Sequence, residues 1–248
     1  MTFSLKLPFD SETFPIQKKY FDTDGIFHGV GHTYRVMLLA NLLGKITGNI
    51  REGNLACYAA IFHDMARVNH LESQNHGRDS VHNKMPLFTE FLSQQQLTPK
   101  DITEIEFAVI QHSLKKELPA NHKNHLMCAI LKDADALDRV RLNNTDISYL
   151  RFHQSHNLYG FSKMLFKESI GLTLQVMKSE MDPTHQKSID ILHNAIENWL
   201  DNHEHYEKLV TKINQSGKKV QFTAKKFNEL HERHDIYIRI EKSMTYKT

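Results

Sequence analysis

The sequence predicts an all-α protein, a compact helical bundle followed by a mainly helical C-terminal extension. Three observations carry this. Ten Gly and six Pro in 248 residues are few for a β-rich chain, whose many turns consume both. Apolar residues recur at three- and four-residue spacing through successive windows of ten or more residues. Helix-start signals, a capping residue followed by proline, stand at Thr98-Pro99 and around Pro183-Thr184. Without an internal repeat or a low-complexity linker, one domain is the simplest organisation for a chain long enough to bury a substantial core.

Residues 1–27, with Pro8 and Pro15, read as an irregular arm or short helix. From His28-Gly29-Val30-Gly31-His32 the chain enters a run apolar on most faces, closed by Gly44 and Gly48. This reads as a buried helix of roughly four turns. His32 shares the inward stripe of Val36, Leu39 and Leu43. A second helix, from about Glu52 to Ala66, aligns Leu55, Ala59, Phe62 and His63. Residues 68–83 read as a loop leading into a helix, and Pro86 either starts a new helix or kinks that one. Thr98-Pro99-Lys100-Asp101 opens a helix with Ile102, Ile105, Val109 and His112 on one face. After Pro119 a further helix carries Leu126, Ala129, Ile130 and Leu131, then Lys132, Asp133, Asp135, Asp138 and Arg139. Charge at that density on an apolar helix is costly unless it is paired or bound to a metal. Asn143-Asn144 is a turn. Segments near 161–180 and 184–213 read as helices, and Ile236, Ile238 and Ile240 as a short strand or extended arm. The division expected is an arm (1–27), a helical core (28–142) and a helical elaboration packed on it (143–248).

Charge and cysteine content exclude several classes. With 31 basic and 29 acidic residues the net charge is +2, so no global field selects nucleic acid or an anionic membrane. Cys57 and Cys128 lie in apolar helical segments and read as reduced, buried thiols. The N-terminus lacks a secretory pattern, and no run approaches the roughly 18 apolar residues of a membrane span. The expectation is a cytoplasmic protein with no nucleic-acid or membrane partner. The oligomeric state is not legible.

The chemistry gathers at His63-Asp64, one nitrogen and one oxygen donor at the end of an apolar helix. The dipeptide alone is weak, since composition predicts about one by chance and His234-Asp235 is a second, without apolar helix or companions. His32, the His63-Asp64 pair and an acid from Asp133 or Asp135 come from three separate helices. If the bundle converges them, the mixed shell suits Mn, Fe, Co, Ni or Zn better than Mg or Ca. Helical periodicity does not choose between the two acids, which flank the apolar face on opposite sides. His28 reads equally as a loop histidine or as one orienting a ligand. Asp138 reads as an ion-pair partner holding its helix.

Taken in order, HGVGHTYRV, HD followed by MAR, HGRDS, QHS and LKDADALDR resemble the HD-domain superfamily of metal-dependent phosphohydrolases, over roughly residues 28–142. The resemblance implies His32, His63, Asp64 and Asp135 as metal ligands. It implies His76 and His112 as a second metal site or a phosphate contact, with Pro86 a departure from the smooth helix expected after His76. The chemistry implied is attack on phosphorus by metal-bound hydroxide, with one or two divalent transition-metal ions. In it Asp64 ligates and orients the water, and Arg67, Lys132 and Arg139 stabilise charge on the phosphate. The expected substrate is a small phosphate ester, most often a nucleotide. The Gly-Tyr-Pro extension of cyclic-dinucleotide-hydrolysing relatives is absent from the sequence. Two other classes stand beside this one: a nucleotide-binding or regulatory module with little or no turnover, and a helical interaction protein whose histidines are incidental.

Overall fold

The computed structural model describes residues 7–9, 16–23, 28–68, 73–142, 145–167 and 169. Among these the regular elements are all helices, as composition and periodicity lead one to expect. Seven α-helices are α1 (Val30–Ile46), α2 (Ile50–Phe62), α3 (His76–Asn83), α4 (Thr89–Gln94), α5 (Pro99–His112), α6 (His125–Asp138) and α7 (His153–Asn157). A further helical stretch covers 159–167. The expected helix over 184–213, the arm around Ile236 to Ile240 and the Asn143-Asn144 turn lie outside the described residues.

The centre of the bundle is α1, whose residues from His32 to Gly44 are all buried. α1 packs on α2 and α6, α2 also packs on α5 and α6, and α3 lies on α5. Two glycines set the closest crossing. A Cβ added at Gly44 would stand 2.5 Å from the Gly53 Cα, so only the absence of both side chains lets α1 and α2 approach backbone to backbone. Gly48, at φ +75°, turns the chain between them in the left-handed region that favours glycine. Along α2 every residue from Leu55 to Phe62 is buried. The Cys57 thiol donates to the Met37 carbonyl at 2.9 Å, and burial pushes both Cys57 and Cys128 up to about 12. They behave as small core residues.

Several boundaries differ from the periodic reading. α2 ends at Phe62 and the chain turns through 63–66, one turn before the expected end at Ala66. Apolar periodicity continues through Met65, but the backbone does not. Pro86 does not disturb α3, which ends at Asn83; the proline instead opens a 3-10 turn (Met85–Phe88) leading into α4. Leu126 is 39% exposed at the start of α6. The start of α5 is as anticipated: Thr98 accepts from the Asp101 N–H, and the Asp101 carboxylate accepts from the Thr98 N–H at 2.9 Å, a reciprocal capping box. The described part of the N-terminal arm forms a 3-10 turn at Lys18–Tyr20. It buries Leu7, Phe9, Ile16 and Phe21 against the core. No helix among the described residues is long and apolar enough to cross a membrane.

Candidate metal centre

Five histidines and two aspartates from five parts of the chain meet where α1, α2, α3, α5 and α6 converge. α1 presents His32 one turn after His28. The C-terminal end of α2 presents His63, and the turn that follows presents Asp64. The N-terminal residue of α3 is His76 and the C-terminal residue of α5 is His112. α6 contributes Asp135, one turn before Asp138.

The supports of these side chains are built into the backbone. The turn after α2 is tied to α3 by the Ala66 N–H, which donates to Ser80 Oγ at 3.0 Å. α3 lies so close on α5 that a Cβ at Gly77 would meet the Val109 carbonyl oxygen at 2.3 Å. That contact brings the His76 and His112 rings together edge to face, at an interplanar angle of 74°.

The hydrogen bonds fix which nitrogen of each ring faces inward. Nδ1 of His63, His76 and His112 donates to the carbonyl oxygens of Ala60 (2.7 Å), Ser73 (2.6 Å) and Val109 (2.5 Å) respectively. Carbonyls only accept, so each Nδ1 carries the hydrogen. His32 Nδ1 donates to the Asp138 carboxylate at 2.7 Å. In neutral rings all four Nε2 atoms then carry lone pairs, and these meet in two pairs. His32 and His63 stand 3.0 Å apart through Nε2, and His76 and His112 2.9 Å apart. Facing lone pairs at that distance repel unless a proton or a cation lies between them.

Asp64 joins the two pairs. Its Oδ2 is 3.4 Å from His32 Nε2 and 3.8 Å from His63 Nε2; its Oδ1 is 3.2 Å from His76 Nε2 and 3.6 Å from His112 Nε2. Asp135 Oδ1 completes the first pair at 3.4 Å from His32 and 3.9 Å from His63. The ligand atoms of His32, His63 and Asp135, and of Asp64, His76 and His112, form two compact groups that could hold a metal ion. A third such group is His28, His32 and Asp64. The donor set is mixed imidazole and carboxylate, which suits a divalent transition metal.

Electrostatics favour the charge states that metal binding needs. Burial pushes the His63 imidazole down to about 3, so the ring is neutral at pH 7. Burial alone would raise the Asp64 carboxyl. It is nevertheless held well below the usual carboxylate range, with the His28 Nδ1–H donating to it at 2.6 Å.

The acids of α6 separate into three roles. Asp133 is fully buried and accepts from the backbone N–H groups of Arg151 and Phe152 and from the Ser155 hydroxyl. It anchors the chain entering α7 and leaves Asp135 as the acid at the histidines. Asp138 pairs with Arg35 through Oδ1 (2.6 Å) and Oδ2 (3.0 Å) and lies 3.4 Å from Arg141. It is an ion-pair partner as expected, of Arg35 and Arg141, and it also fixes the His32 ring.

The cations differ from the sequence reading. Arg67 is near, its guanidinium 3.7 Å from Asp64 Oδ1. Lys132 instead turns its ammonium onto the Leu114 carbonyl (2.9 Å) and Glu117 (3.1 Å). Arg139 is exposed, because the 3-10 turn Arg139–Leu142 swings it outward and carries Arg141 inward. Neither Lys132 nor Arg139 makes a hydrogen bond to the cluster. Arg35 and Arg141 escaped the sequence reading, although Arg35 sits one helical turn after His32 and so shares its face.

Residues 29–140 match the family model described as HD domain. Over that segment the chain is similar to the HD-domain family. Comparison with curated proteins gave no match, and neither did comparison with solved structures. HD domains bind divalent metals and are generally metal-dependent hydrolases, although some members are non-catalytic. The His and Asp groups of this segment fit that general property.

Proposed function

We propose that the chain is a metal-dependent phosphohydrolase that cleaves a small phosphate ester, a nucleotide or a related molecule. His32, His63, Asp64 and Asp135 would hold one divalent transition-metal ion, and Asp64, His76 and His112 a second. The observation that carries this reading is the pair of lone-pair contacts, His32 to His63 and His76 to His112, both closed onto one carboxylate. Four buried imidazoles with their Nδ1 hydrogens held elsewhere are arranged to accept, and a cation is the partner that satisfies them all.

A divalent cation bound there would supply Lewis acidity to a phosphoryl oxygen and lower the pKa of its bound water towards about 7. The chain's own contribution is placement. Asp64 is shared between the two groups and orients the attacking water. Asp138 and the three backbone carbonyls keep the imidazoles in one tautomer, so no reorganisation is needed when charge develops. The Arg67 guanidinium lies where it can meet a phosphate oxygen. Asp135, whose side chain is 32% exposed, marks the side from which water and substrate enter.

The test is a hydrolysis screen over nucleotides, phosphomonoesters and phosphodiesters with Mn, Fe, Co, Ni or Zn added, with Asp64→Ala as the control. Turnover by the wild type that is lost in the variant is expected. Tight nucleotide binding without turnover under any metal would replace this reading with that of a regulatory module.

A further inference from the structure

His28 lies one residue before the segment matched to the HD family and outside α1, yet it is 5% exposed. Its Nδ1 stands 2.6 Å from Asp64 Oδ2, closer than any other ring nitrogen to that carboxylate. A carboxylate oxygen only accepts, so this Nδ1 carries a hydrogen and points it at Asp64. That separates His28 from its four neighbours. His32, His63, His76 and His112 commit their Nδ1 hydrogens elsewhere and meet Asp64 with lone pairs; His28 meets it with an N–H.

The carboxylate needs such a donor. Asp64 serves two groups only while Oδ2 faces His32 and His63 and Oδ1 faces His76 and His112, and rotation about its Cβ–Cγ bond would remove both oxygens together. The Arg67 contact on the Oδ1 side is 3.7 Å long, beyond hydrogen-bond reach. Arg141 lies 3.5 Å from the same Nδ1 and 3.4 Å from Asp138 Oδ2. One buried guanidinium thus stands between the residue that holds Asp64 and the residue that holds His32.

We propose that His28 is a positioning residue for Asp64, its Nδ1–H fixing the carboxylate in the rotation that shares it between the two histidine pairs. This rests on the metal reading of the site but concerns a residue outside the two ligand groups assigned to the ions.

The experiment is a titration of the full chain with cobalt(II), followed through its visible absorption bands, for wild type, His28→Ala, His28→Asn and His28→Gln. Asparagine places an amide N–H close to the Nδ1 position, whereas glutamine places it near Nε2. Loss of a residue that orients a ligand lowers metal affinity about 10–100-fold. His28→Ala and His28→Gln are therefore expected to bind cobalt about 10–100-fold more weakly with altered band intensities, and His28→Asn to recover most of the affinity and the wild-type spectrum. If His28→Ala does not fold by circular dichroism, the Asn and Gln variants carry the comparison. Wild-type affinity and spectrum in the Ala or Gln variant, or equal damage in Asn and Gln, would overturn the proposal. A wild type that binds no cobalt would overturn the metal reading and this proposal with it, an outcome distinct from a binding wild type with unchanged variants.

Discussion

Replacing Asp138 by asparagine should cost more stability than any exposed charge change in the molecule. The carboxylate is fully buried and pairs with Arg35 through both oxygens at 2.6 and 3.0 Å, with His32 Nδ1 at 2.7 Å, and with Arg141 at 3.4 Å. Burial pushes its carboxyl up, but Arg35, His32 and Arg141 more than offset that and hold it below the usual carboxylate range. Asparagine keeps the size and one acceptor but removes the charge that two buried guanidinium groups face. Removing one partner of a buried pair costs about 3–5 kcal/mol, a large share of the roughly 5–15 kcal/mol that holds a folded protein. With a urea dependence near 2 kcal/mol per molar, the unfolding midpoint should fall by about 1.5–2.5 M. Urea unfolding of metal-free protein, followed by circular dichroism, measures this. The control is Arg51→Met: Arg51 is half exposed and bridges Asp101 and Glu104, an arrangement worth about 1 kcal/mol or less. A loss in Asp138→Asn no larger than in the control would refute the view that the buried ion pairs lock α1 to α6.

Three further outcomes follow from particular contacts. Asp133→Ala should lower stability while leaving metal affinity near wild type, because Asp133 holds the 151–155 segment; Asp135→Ala should do the reverse, and equal effects on both quantities would contradict the division of roles on α6. Gly77→Ala should drive α3 off α5, since the added Cβ meets the Val109 oxygen at 2.3 Å. Metal counting by mass spectrometry should then show loss of the ion at His76 and His112 with the other retained, and undiminished stoichiometry would refute it. Glu117 is held down to about 2 from 4.5, chiefly by its hydrogen bond to Arg151, against the opposing effect of burial and with help from Lys132. Its folded value lies below its unfolded one, so its contribution is complete above about pH 4.5 and is lost as pH falls through about 2. Acid unfolding of Glu117→Gln should differ from wild type above that window and converge below it. A difference independent of pH would show that the carboxylate charge is not involved.

Much of the fold and the site could be read without coordinates, for reasons tied to single residues. His32 and His112 declare themselves because helical spacing puts them on the stripe of Val36, Leu39 and Leu43, or of Ile105 and Val109. His63-Asp64 gains weight only from such companions. What escaped the sequence depends on partners distant along the chain. Whether Asp133 or Asp135 faces the histidines is decided by the 151–155 backbone, whose N–H groups take Asp133. Lys132 and Arg139 are near the ligands in sequence, but Glu117 draws one away and a 3-10 turn sends the other outward. The inward turn of Arg141 onto Asp138 and His28 could not be inferred from α6 periodicity, because the helix stops at Asp138. The end of α2 at Phe62 was hidden for a related reason: an apolar turn has the same residue types as an apolar helix.

The most direct test is the number of metal ions the folded chain binds, measured by equilibrium dialysis against manganese or cobalt and counted by mass spectrometry. The shared carboxylate predicts two ions per wild-type chain, one in His112→Ala, and loss or marked weakening of both in Asp64→Ala. A wild type that retains no ion, or an Asp64→Ala chain that still binds two with unchanged affinity, would contradict it.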